Sequence, residues 1–114
     1  MATRPETAEY LTDQLSGAGD VSARKMFGEY GVYVGTRFAG LICDDRLFVK
    51  PTAASDAMMP EGERDAPYPG AKPHAVVPEE RWDDADWMAD LFAKTAEALP
   101  APKPKRAKPE KGSR

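Results

Sequence analysis

The chain has 114 residues, 41% hydrophobic and 31% charged, with one cysteine and one histidine. That length allows a single modest core, a lone cysteine excludes an internal disulfide, and no apolar run approaches the roughly 20 residues of a membrane-spanning helix. The net charge of −3 divides unevenly: residues 100–114, PAPKPKRAKPEKGSR, carry a net +5, which leaves −8 on the first 99 residues.

In chain order, MATRPETAEY lacks the apolar stretch of a secretory signal, so the expected compartment is the reducing cytoplasm. Thr3 and Glu6 fit a capping box, Pro5 suits a first turn, and Ala8, Leu11, Leu15 and Ala18 recur at helical spacing, which predicts a helix over 4–17. GAGD stops it. Short apolar runs then alternate with turn residues and predict four antiparallel strands at 24–28, 31–35, 37–43 and 46–50. Gly35-Thr36 and Asp44-Asp45 are the two-residue turns, both able to take left-handed backbone.

A short helix is expected over 52–59, ended by Pro60, and residues 60–72 read as a long exposed loop. The run HAVV between Pro73 and Pro78 predicts a strand at the sheet edge, because proline cannot donate to a ladder. Asp83, Asp84 and Asp86 suit a helix N-terminus. Met88, Leu91, Phe92, Thr95 and Leu99 then mark one helical face, with Trp87 beside it. The sum is an α+β two-layer domain over residues 1–99, an antiparallel meander sheet flanked by N- and C-terminal helices. Residues 100–114, with four prolines and no large apolar side chain, are expected to form a basic disordered tail.

Several residues invite a chemical role. In RKMFGEYGVYV, residues 24–34, Gly28 and Gly31 imitate an RNA-backbone clamp, and Phe27, Tyr30 and Tyr33 imitate a base-stacking strand. Glu29 stands where the stacking motif wants glycine and Val32 where it wants an aromatic ring. The glycines therefore read as a tight connection, with Met26, Val32 and Tyr33 packed around it and Tyr30 left at the surface. Cys43 ends an apolar run and reads as a buried structural thiol. His74 has no partner at ligand spacing and reads as solvent-facing on an edge strand. Asp44 and Asp45 supply too few oxygens for a hard cation. Trp82 and Trp87 read as core or interface residues. With no catalytic triad, phosphate loop or dinucleotide fingerprint, the expectation is a protein without catalysis, cofactor or metal.

Arg24, Met26, Phe27, Gly28, Tyr30, Gly31, Val32 and Tyr33, then Phe38, Ala39, Leu41 and Ile42, then Asp44, Asp45, Leu47, Phe48 and Lys50 together form a pattern. It resembles the N-terminal domain of the TfoX/Sxy family, whose members include regulators of bacterial DNA-uptake competence. The resemblance implies a sheet flanked by helices, related to secretion-chaperone-like folds, and a non-enzymatic regulatory role alongside transcription machinery. Longer members carry a second, helical domain where this sequence has its basic segment, and aromatics near Ala75 and Val76.

The expected function is a small regulator working by protein contact, centred on Arg24 and Tyr30. One alternative is a small-molecule-binding domain drawing on Tyr68, Trp82 and Trp87. Another is weak, non-specific nucleic-acid binding through Lys103, Lys105, Arg106, Lys108, Lys111 and Arg114. A homodimer is expected from an unpaired sheet edge and an aromatic final helix, and no membrane partner is expected.

Overall fold

The computed structural model of the chain describes residues 3–26 and 29–99. The elements are α1 (Pro5–Leu15), β1 (Val21–Met26), β2 (Glu29–Val34), β3 (Arg37–Cys43), β4 (Arg46–Val49), α2 (Ala53–Met58), β5 (Arg64–Asp65), β6 (His74–Val77) and α3 (Ala85–Ala98). All six strands join one antiparallel sheet in the order β1-β2-β3-β4-β6-β5. Helices occupy one face of it, which makes the predicted α+β two-layer domain. Among the described residues no helix is long and apolar enough to cross a membrane.

The main core fills the space between sheet and helices. Ala8, Leu11 and Leu15 from α1 and Met88, Leu91 and Phe92 from α3 meet Val32, Ala39, Ile42, Leu47, Val49, Ala75 and Val77 from the strands. Asp44 and Asp45 both take left-handed backbone, φ 56° and 58°, as a tight β3–β4 turn of this hand requires. Gly35 turns the β2–β3 hairpin at φ 62°.

Four expectations need correction. Arg4, not Thr3, is the N-cap of α1, and no side chain caps it. The Thr3 hydroxyl instead donates to Glu29 Oε1 at 2.6 Å, the same oxygen that accepts from Thr3 N at 2.9 Å and Asp44 N at 3.1 Å. A half-buried carboxylate 26 residues away outcompetes the local cap. The capping box that does form is Thr52 with Ser55, at the start of α2. The 60–72 loop contributes β5, whose pairing with β6 moves the HAVV strand one place in from the edge. Pro73 and Pro78 flank β6 without entering it, so its ladder keeps its donors. The first strand starts at Val21, before the basic pair. The tail and its cations, with Phe27 and Gly28, lie outside the described residues.

One irregularity shapes both faces. Val32 pairs with Gly40 but Tyr33 pairs with Phe38, so Ala39 is an extra residue in β3. A bulge resets the two-residue alternation of a strand. Phe38 and Leu41, three apart, consequently share the helix-free face, while Ala39 and Ile42 join the main core. Gly40 is held there by sterics: a Cβ would lie 2.3 Å from the Phe48 carbonyl oxygen and 2.8 Å from the Phe92 ring. Gly40→Ala is expected to cost about 2–3 kcal/mol or more as overpacking against backbone. Calorimetry should show Tm lowered by at least about 10 °C.

Candidate functional site

The face of the sheet without helices is not polar. Leu41, Cys43, Phe48 and Val76 form a second buried apolar cluster there, joined by the half-buried Phe38. Strand alternation adds Arg24 from β1 and Tyr33 from β2, on the same side as Gly31. Four of these residues stack across the sheet. The Arg24 guanidinium carbon lies 4.6 Å over the Tyr33 ring, Tyr33 and Phe38 are 5.0 Å apart at 18°, and Lys50 Nζ lies 4.4 Å over Phe38. Each aromatic face in the stack is covered, either by the other ring or by a cation attracted to its π-density.

Beside the stack is a cavity of about 450 Å³. Its walls are Met26, Phe38, Leu41 and Cys43 from the sheet, Tyr68 from the 60–72 loop, and Glu29 and Tyr30 at the β2 end. Gly31 leaves room for two of these walls: the Met26 Cε and Phe38 Cε1 atoms stand 3.0 Å from where its Cβ would be. Tyr68 is 55% exposed, so the wall it makes is open to solvent. The loop carrying it is tied down by Arg46, which lies 3.0 Å from both Glu63 and Asp65 and 5.1 Å over Phe48.

Charge around this face is asymmetric. Arg24, Lys50 and Lys72 take part in no ion pair among the described residues. Burial, and then the Lys72 charge, hold the Lys50 ammonium below the ordinary lysine pKa. His74, expected to face solvent, is buried at 6% exposure. Its Nδ1 is 2.7 Å from the Lys72 carbonyl, and its Nε2 has no hydrogen-bond partner. Burial lowers its pKa, with Lys50 adding to the effect. A side chain beside a flanking proline looked exposed; pairing with β5 encloses it.

The sequence-derived site residues are not brought together. Arg24 stands on the helix-free face, but its register partner is Gly31, whereas Tyr30 pairs with Lys25 and packs half-buried against the main core under α1. Strand parity thus leaves the Tyr30 ring half-buried, packed on the main core and reaching the β2 end of the cavity, in place of the expected surface position. Tyr68 reaches the cavity, while Trp82 and Trp87 pack against the helix-side core. Trp82 Nε1 donates to the Val77 carbonyl, and Arg81 stacks 4.5 Å over Trp87. Asp84 caps α3 by accepting from Trp87 N, and Asp83 accepts from the Tyr10 hydroxyl, so these acids serve structure. Sequence reasoning missed Tyr33, Phe38 and Lys50 as one set. The available signal was their placement: Tyr33 and Phe38 are equidistant from the Gly35-Thr36 turn and therefore cross-strand neighbours.

The family model described as TfoX N-terminal domain matches residues 13–99. The chain belongs to the TfoX N-terminal domain family. It is also 41% identical over 108 residues to an uncharacterized 12.7 kDa protein in the trpE 5′ region of Spirochaeta aurantia, covering 95% of this chain and 93% of that one. The matched family segment contains every residue of the stack and of the cavity. Both features are therefore part of the TfoX N-terminal domain here, not of the flanking sequence.

Within this domain Cys43 is a packing residue. Burial pushes its thiol up to about 11, and the Glu29 and Asp44 carboxylates act in the same direction. At pH 8 only about one molecule in a thousand carries the thiolate, the form that attacks electrophiles. An aromatic disulfide reagent is expected to label the native chain at pH 8 at least about 100-fold more slowly than the urea-unfolded chain. Comparable rates would place the thiol in solvent.

Proposed function

We propose that this TfoX N-terminal domain is a regulatory protein that works by contact with another protein, and that the helix-free face is the contact surface. One observation carries the reading: an open apolar cavity of about 450 Å³ bordered by a cation–aromatic stack, on a sheet face that no helix covers. Exposed aromatic and arginine side chains beside an apolar recess are the usual anchors of protein contacts. The resemblance to competence regulators supports a role alongside transcription machinery. Arg24, suggested by the sequence, belongs to this reading together with Tyr33, Phe38 and Tyr68, and Tyr30 contributes from the β2 end of the cavity. The cavity would also admit a small apolar ligand, which is the second reading.

Affinity capture of the intact chain from its own cells, with nucleic acid retained, tests this. Tyr68→Ala and Arg24→Ala alter exposed side chains and should change stability by no more than about 0.5 kcal/mol, yet both should lose the captured protein. Tyr30→Ala should instead lower the melting temperature. An unchanged set of captured proteins in the first two variants would move the contact off this face.

Self-association belongs to the same proposal. β1 is the long outer strand of the sheet, six residues with its outward groups unpaired by any described strand, and such edges pair readily with a second copy. Light scattering at micromolar concentration is expected to give twice the chain mass, and a monomer mass would refute it.

A further inference from the structure

The helix-free face has a direction. At one end of the cavity stand Arg24, Lys50 and Lys72, none of them ion-paired among the described residues. At the other end the cavity is bounded by Glu29, with Asp44 next to it and the Arg46-bound Glu63 and Asp65 beyond. The chain as a whole is acidic, so an unpaired cationic corner beside the apolar cavity is a local feature with a local partner. Burial, and then the Lys72 charge beside it, disfavour the protonated form of Lys50, a cost that a bound anion would relieve.

We propose that this face binds an acidic linear segment of a partner protein. An apolar side chain of the segment enters the cavity between Phe38, Leu41 and Tyr68, and a neighbouring carboxylate sits on Lys50 and Lys72. This rests on the reading of the face as a protein-contact surface and assigns the chemistry of what it contacts. The spacing follows from Phe38, which is both a wall of the cavity and the platform on which Lys50 lies at 4.4 Å. One ring separates the apolar and ionic subsites. An extended peptide advances about 3.3 Å per residue, so the acid falls one or two residues from the anchor.

Two features disfavour nucleic acid at this face. Base stacking needs an open ring face, and both faces of Tyr33 and Phe38 are already covered. A run of phosphates long enough to engage the cations would also pass the carboxylates at the far end.

A random dodecapeptide display library panned on the intact chain is the test, followed by calorimetric titration of the enriched peptide. The enriched sequences should place Asp or Glu one or two positions from an aromatic residue or leucine. Tyr68→Ala and Lys72→Glu, both at exposed positions, should each weaken the peptide at least fivefold, and replacing its acids by lysine should weaken it at least tenfold. The proposal is overturned by any of four results: no enriched peptide, enriched peptides without acids, affinity unchanged by Lys72→Glu, or displacement of the peptide by equimolar single-stranded 20-mer DNA. If capture from cells still depends on Tyr68 and Arg24 while the peptides show no acid preference, protein contact stands and only the assigned chemistry fails.

Discussion

Between Val32 and Tyr33 the pairing of β2 with β3 steps over Ala39, and the alternation of side chains along β3 restarts there. Without that step Phe38 and Leu41 would point to opposite faces, and neither the stack nor the cavity could form. The step is held by two contacts. Lys50 N donates to the Ala39 carbonyl at 2.9 Å, which gives the displaced backbone an acceptor role inside the sheet. The missing side chain at Gly40 lets the Phe92 ring of α3 close over the strand. The helix layer and the helix-free face are therefore coupled through one glycine, and the main core helps set the geometry of a surface it does not touch.

Much of this architecture could be read from the chain. Helical spacing in α1 and α3, and two turns whose residues tolerate left-handed backbone, placed both long helices and the β2-β3-β4 meander. What stayed hidden was non-local. FAGLIC is apolar throughout because both its faces are covered, so no alternation within it could betray a bulge. β5 has only two residues, Arg64 and Asp65, and no strand propensity; it exists because β6 offers an edge. Thr3 had a local cap available and took a distant, half-buried carboxylate instead. His74 and Tyr30 were misjudged for a related reason, since exposure depends on which strand lies alongside and on parity, neither of which neighbouring prolines or glycines report. The chemistry of the candidate site was half legible: Arg24 was, but its companions become a set only when β1 to β4 are laid side by side.

The acids and the cations of this domain do different work. Glu29 gathers Thr3 and Asp44, Asp45 accepts from Arg4 N at 3.0 Å and pairs with its guanidinium at 3.3 Å, and Asp84 starts α3. These carboxylates fasten the ends of elements to one another. Arg24 and Lys50 instead lie over rings, an arrangement that holds the two cations in place without pairing either with a carboxylate. Ordering a long side chain before a partner arrives lowers the entropy still to be lost on contact.

The Arg46 clamp has a consequence for how the cavity responds to dissolved salt. It fastens the 60–72 loop to β4 through two exposed ion pairs, beside the two-residue pairing of β5 with β6, while the sheet beneath is held by ladders and a buried core. Exposed pairs of this kind are weak and are screened further by dissolved ions. Dissolved ions therefore weaken one of the fastenings of the Tyr68 wall and leave the β1 to β4 ladders as they are, so ionic strength bears on the shape of the recess as well as on the attraction of its cations.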